Sequence, residues 1–315
     1  MGQHRIMNDI TVAAGHNLGP PDFGTEGIKA DVIAESTSAA GVTIDSTLVK
    51  DGQVGPLADG KSLILGTDSD VSMNWNGTYL VGGSGMWAGC PSPADPAYHS
   101  LVHEYFNDFR ALTADLDVVN EWTVTEDDAA CTQAIRVDAV CGECLLTNKA
   151  TTDNNAQQIN LAQETFKLAT GKKLWFEARL KTAAGAKEID FAAGLIAAED
   201  LTGVADNMPA NGIVFHKDDG DANLDISSSD NGTNRQVEAV ATWTTAYHII
   251  GFYFDGGATG KATITPYVDG VAGTPISAVT YATMSELAPL FMVRNGDATT
   301  TQTMTIDYVK VVQLR

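Results

Sequence analysis

From residue 122 onward the chain repeats one pattern. Short runs with alternating apolar and polar positions are separated by clusters of Gly, Asn, Asp, Thr and Ala. The runs are "EWTVTE", "TQAIRVDA", "CLLTNKA", "AQQINLA", "LWFEARLKT", "IDFAAGLIA", "GIVFHKD", "LDISSSD", "RQVEAVAT", "YHIIGFYFDG", "ATITPYVDG" and "MTIDYVKVVQ". A period of two puts successive side chains on opposite faces of a strand. No long helical pattern lies between the runs, so they predict an all-β, antiparallel sandwich or barrel. No solenoid repeat interrupts them.

The region before residue 122 is less regular. Residues 1–24 read as an irregular arm. "ADVIAEST" and "GVTIDSTLVKDG" are short β-prone runs that need a neighbour to dock on. Two short strands at 71–75 and 78–82 flank Asn-Gly, a favourable hairpin turn. In "PAYHSLVHEYFNDF" the spacing of Leu101, Val102, Tyr105, Phe106 and Phe109 predicts a short helix, and "ATMSELAPL" a single helical turn. The organisation expected is an anchoring arm and hairpin at 1–60, a connecting hairpin and loop at 61–100, and the sandwich at 101–315.

Charge narrows the partners. Nineteen Lys+Arg stand against 40 Asp+Glu in 315 residues, a net charge of −21. Such a surface repels phosphate backbones and anionic membranes, so no nucleic acid and no membrane is expected as a partner. There is no signal-peptide run near the start, Ile6 breaks the myristoylation pattern, and no apolar stretch reaches spanning length. Synthesis in a host cytoplasm is the expectation.

Candidate chemistry is sparse. Cys141 and Cys144 form a lone C-x-x-C; with Cys90 and Cys131 the set leaves zinc, a disulfide or plain thiols open. His99 and His103 fall at i, i+4, but Glu104 follows the second His, so the zincin pattern is absent and a surface helix turn is expected. In "HKDDGDANLD", Asp219, Asp221, Asn223 and Asp225 alternate like calcium ligands. Leu224 stands where a calcium loop needs Gly, so an acidic hairpin loop is expected. Trp75, Trp122, Trp175 and Trp243 read as core, and Trp87 in its glycine-rich loop as an exposed aromatic.

Several stretches carry a resemblance. "LWFEARLKTAAGAKEIDFAAGLIAAED", "NGIVFHKDDGDANLDISSSDNG", "YHIIGFYFDGGATGKATITPYVDG" and "MTIDYVKVVQ" resemble the concanavalin A-like lectin/glucanase jelly-roll sandwich. "HEYFNDFRAL", "EWTVTEDD", "TTDNNAQQINLAQETFKLATGKKLWFEARLK" and "ESTSAAGVTIDSTLVKDG" resemble tailed-bacteriophage virion structural proteins. The resemblance implies a non-enzymatic protein on the capsid exterior, decorating or cementing the head. Its partners would be the major capsid protein and sister copies in a homotrimer. The alternative it implies is a tail fibre or receptor-binding protein gripping a host glycan.

The glucanase side of the resemblance bears on "KEIDFAAG". In that pattern two glutamates flank an aspartate, and a retaining mechanism needs the pair about 5 Å apart. Glu188 and Asp190 fill the first two positions, but Ala192 and Ala193 stand where the acid belongs. Both carboxylates therefore read as solvated residues at a strand start, with Ile189 and Phe191 facing the core. No catalytic, cofactor-binding or metal-binding residue and no cofactor is expected, and a hydrolase is the weaker alternative.

Overall fold

A computed structural model describes residues 62–65, 71–75, 78, 80–83, 85–110, 121–136, 142–149, 152–184, 189–204, 207–257, 261–296 and 300–315. All fall in one compact unit, Leu57–Arg315. The expected arm and hairpin of residues 1–60 lie outside the described residues.

Strands β1 (Ser62–Leu65), β2 (Val71–Trp75), β3 (Leu80–Gly82) and β4 (Cys90–Pro91) form a four-stranded antiparallel sheet. The expected hairpin is there, with Trp75 opposite Leu80. A one-turn helix, α1 (Tyr98–Leu101), leads into β5 (Val102–Asn107). Then come β6 (Trp122–Glu126), β7 (Thr132–Ile135), β8 (Cys144–Thr147), β9 (Ala156–Leu161), β10 (Lys173–Thr182) and β11 (Ile189–Ile196). Next are β12 (Gly212–Lys217), β13 (Asn223–Asp230), β14 (Thr233–Thr242), β15 (His248–Asp255) and β16 (Ala262–Val268). The last are β17 (Val271–Ala272), β18 (Ile276–Val279), β19 (Ala288–Asn295) and β20 (Thr303–Leu314).

Two large antiparallel sheets make the sandwich. One has seven strands in the order β14-β13-β12-β11-β19-β9-β6. The other has nine, β17-β16-β15-β10-β20-β8-β7 with β18 on β16 and β5 on β20. Every strand run read from residue 122 onward is a strand. Between the sheets Leu174, Phe176, Ala178 and Leu180 of β10 meet Phe191 and Phe215 of the opposite sheet in one buried cluster. Phe176 stacks on Phe252, centroids 5.1 Å and planes 17° apart, and Phe252 reaches Phe215 across the sandwich at 6.5 Å.

Three segments depart from the sequence expectation. The helix predicted after Pro96 stops at Leu101, because Val102 is already extended (φ −126°, ψ 156°). Strand pairing overrides the helical spacing. β8 covers only Thr303–Ile306 of the long β20, so the backbone of Val309–Leu314 takes β5 as its partner. The predicted turn at "ATMSELAPL" is a non-helical turn closed by Met284 N–H to Tyr281 O, and the chain then enters β19. That central strand, "APLFMVRN", buries all eight residues; such a continuous apolar run carries no period of two to mark it.

The outer face of the nine-stranded sheet is partly roofed by residues 85–101. Met86, Cys90, Tyr98 and Val102 pack there on Trp175 and Val312. Gly251 makes room for the roof, since a Cβ at that position would lie 2.4 Å from Met86 Sδ.

Phe176→Ala opens a cavity in the stacked interior, and the expected loss is about 3–5 kcal/mol of unfolding free energy. A denaturant titration of the purified chain checks it. A loss under about 1 kcal/mol would contradict the packing described.

Candidate functional site

The strand that carries the glucanase-like pattern is β11, and it is regular along its whole length, paired without a bulge to β12 and β19. Regularity fixes its faces. Ile189, Phe191, Ala193 and Leu195 join the sandwich interior. Ala192 and Ile196 belong to a separate buried cluster on the opposite face, which Asp190 shares by alternation. Of the two alanines, only Ala192 stands beside Asp190; Ala193 points into the core. Glu188 lies outside the described residues.

Asp190 is not solvated as expected; it is 4% exposed. One carboxylate oxygen accepts the Asp219 backbone N–H, and the other lies 3.6 Å from Arg294 Nη1. Burial pushes its carboxyl up to about 6, against the lowering pull of the Asp219 N–H and the Arg294 charge; the Asp219 and Asp218 charges add to the rise. Arg294, equally buried, reaches over the sheet. Its Nη2 donates to the carbonyls of Leu201 (2.8 Å), Thr202 (3.0 Å) and Val204 (2.8 Å).

That arrangement closes the face over β11. Gln158 clamps the same segment from β9, donating to Glu199 O and accepting from Leu201 N, each at 2.8 Å. Leu201 then packs with Ala156, Ala192, Ile196, Val214, Leu290 and Met292, all at 0% exposure. His216 and Met292 flank Ala192 in register, and Asp225 stands opposite His216. Asp225 lies two strands from Asp190, about 10 Å at ordinary strand spacing. That is too far for the close carboxyl pair of a retaining glycosidase.

Two of the calcium-like residues, Asp221 and Asp225, have an oxygen in a local bond, and the other two take part as donors. Asp219 contributes its N–H to Asp190. Asp221 Oδ1 accepts the Asn223 backbone and side-chain N–H groups (2.9 and 3.0 Å). Asp225 Oδ1 accepts Ala239 N–H at 2.7 Å. Lys217, fully buried beside them, donates to the carbonyls of Ile189 and Asp218, and burial lowers its pKa. The loop is the acidic β12–β13 hairpin the sequence suggests. Among the described residues, no three or more His, Cys, Asp or Glu converge as metal ligands.

His99 and His103 do not share a helix turn. His99 sits in α1 and His103 in β5, against the Phe166 ring at 4.8 Å, where burial lowers its pKa. Cys90, Cys131 and Cys144 are buried free thiols, and burial lifts Cys90 and Cys144 to about 12. Cys141 lies outside the described residues. Trp122 and Trp243 are interior and Trp175 is buried under the 85–101 roof, whereas Trp87 is half-buried beside a cavity. The side chain of Trp75 is outside the description.

Two groups escaped the sequence reading. Arg294 lies on the unrecognised β19, and its signal was an arginine inside an apolar run. His248 joins Asp269 Oδ2 and Thr244 Oγ1, each at 2.7 Å, the order of a hydrolytic relay. Here the same side chains tie two turns together, since Thr244 Oγ1 also accepts Ala246 N–H and the other oxygen of Asp269, Oδ1, accepts Ile249 N–H.

Two antiparallel sheets stacked in this way are those of the concanavalin A-like jelly-roll fold. The chain is similar to an endo-1,3-beta-glucanase from Streptomyces sioyaensis (TM-score 0.50, 17% identity, covering 71% of this chain and 99% of that one). It is also similar to peanut lectin (0.45, 13%, 68% and 98%). A third similar structure is a carbohydrate esterase from the Shiga toxin-encoding bacteriophage phi24B (0.38, 17%, 61% and 89%). At these identities the likeness is one of fold alone. No protein-family model matches the chain, and no curated protein sequence matches it.

Two outcomes follow for the latch. The carboxyl of Asp190 has a folded pKa above its unfolded value, so its stabilising contribution is full below about pH 4 and is lost as pH rises to about 6. The unfolding free energy of wild type relative to Asp190→Asn should therefore fall by about 1–3 kcal/mol across that window. A flat difference would contradict the burial of this group. Arg294→Ala leaves the carboxylate uncompensated and frees the 201–204 carbonyls, with an expected loss of about 3–5 kcal/mol in denaturation; a loss under 1 kcal/mol would contradict the latch.

Proposed function

We propose that this chain is a non-enzymatic structural protein of a tailed-phage virion, held on the outside of the head as a decoration or cementing protein. The observation that carries the non-enzymatic part is the closed face over β11. Asp190 is engaged with Arg294 and the Asp219 N–H, Ala192 lies beneath Leu201, and the position two residues on from Asp190 along its face of the strand is Ala192, not an acid. The virion part rests on the phage-like stretches of the sequence.

In this reading the work is done by binding energy. The net charge of −21 suits a surface facing solvent, and contacts with the major capsid protein and sister copies in a trimer would come through less charged faces. Residues 1–60 would supply an arm laid on the shell, pairing strand edges with a neighbour. A second reading, a tail fibre or receptor-binding protein, is favoured by one observation, the half-open aromatic cavity at Trp87.

Imaging particles with and without the gene product at subnanometre resolution tests both. Regular density over the head lattice that vanishes on deletion is the expected result. Density at the tail tip alone would replace it with the second reading, and no density on either would overturn both. In parallel the purified chain should release no reducing ends from β-1,3-glucan.

A further inference from the structure

One side of the sandwich is left open between its two sheets. The seven-stranded sheet ends there in β14, ten residues long and paired only with β13 among the described residues. The nine-stranded sheet ends in the two-residue β17, and the turn that follows it packs on β14, since a Cβ at Gly273 would stand 3.1 Å from Val240 Cγ1. Between the two edges lies a groove of about 270 Å³. Its walls include Val240, Ala241, Val268, Val271 and Ala272, beside the bonded pair His248 and Asp269. Val271 is 71% exposed.

The β14 edge is open as well as long. Every second N–H and C=O of a terminal strand points away from its one neighbour and is a template for another strand. Proteins blunt such edges with short strands, bulges, Lys or Pro. The strands β6, β7 and β17, which also end the sheets, have five, four and two residues. β14 has neither Lys nor Pro. Its irregularity falls at Ala239 (φ 55°) and leaves Thr233–Val237 in regular register with Ile226–Asp230. One Arg and one Glu make β14 neutral, so on a chain of net charge −21 it is an edge that a sister copy can approach without repulsion.

The chain carries a segment that matches this edge. Sixty-one residues precede β1, and among them "VTIDSTL" at 42–48 sets Val42, Ile44 and Leu48 on one alternate row and Thr43, Asp45 and Thr47 on the other. It holds no Pro and a single charge. The thirteen residues from Val49 to Lys61 span up to about 45 Å when extended, enough to reach a copy in contact. We infer that β14 and its groove receive Val42–Leu48 of a sister copy as an added strand, with Val42, Ile44 and Leu48 turned toward the groove and Val271. The inference rests on the arm reading above and names the edge the arm takes. The β14 of a second copy fits less well, because its own Val237 and Val240 already pack against the core and leave nothing to fill the groove.

Cross-linking between co-expressed full-length chains tests it. One chain carries Ser46→Cys and the other Gln236→Cys, and a short bismaleimide joins thiols that meet. The expected product is a heterodimer of the two chains, formed well above the level seen when Ser100→Cys, exposed elsewhere on the surface, replaces Gln236→Cys. Val271→Glu on the receiving chain changes an exposed side chain and leaves the fold intact. That change, and Ile44→Asp on the donating chain, should each cut the yield about tenfold by placing a charge against the apolar groove. No yield above the Ser100→Cys level, a yield untouched by both changes, or Gln236→Cys chains joining one another instead would overturn the assignment. The readout needs no particles, so it can fail while density on the head stands, and the reverse.

Discussion

The structure depends on one strand being buried on both sides. β11 presents Phe191 and Leu195 to the sandwich interior and Ala192 and Ile196 to a second apolar layer, and all eight of its residues are buried. A two-layer sandwich ordinarily leaves the outer face of each sheet to water. Here a third layer, the Leu201–Val204 segment, is drawn down by a charged side chain that itself has to be buried to do it. Arg294 reaches three carbonyls, and Asp190, its direct register partner on β11, supplies a neighbouring negative charge 3.6 Å away. Removing either partner leaves the other charge in a poorly solvated place, which is why the pair and the segment stand or fall together.

The nine-stranded sheet is treated in a parallel way. Residues 85–101 cross its outer face, fitted by Met86 into the space at Gly251 and tied by Trp87 to Glu177. The two covers differ in what they leave open. Over β11 the cover seals the strand with Leu201, and a cavity of about 410 Å³ lies beside it between Asp127, Asn154, Thr202, Val204 and Arg294. Over β10 and β20 it ends at Trp87 and Lys310, where a small cavity of about 190 Å³ has the indole ring and the ammonium in its walls.

The sandwich was legible because its strands alternate. "LWFEARLKT" and "MTIDYVKVVQ" announce their faces in the sequence, and they became the paired central strands β10 and β20. β19 was not legible, because a strand buried on both faces loses the period of two, and Arg294 went unseen with it. β5 was read as a helix because its aromatic and aliphatic positions fit either period. Only the unpaired half of β20, a long-range fact, settles the choice. That the residue two on from Asp190 along its face is Ala192 was plain from the sequence. The burial of Asp190 was not, since the residues that bury it come from sequence positions 201–204, 219 and 294.

Native-state hydrogen exchange of β11 and Leu201 tests the closed face most directly. The account predicts that the amides of Phe191–Ile196 and of Leu201 exchange only through global unfolding, with the same opening free energy as those of Phe176 and Val311 in the interior. Rapid exchange of Leu201 and β11 through local opening, while β10 and β20 stay protected, would mean that the face is an accessible cleft and would contradict the account.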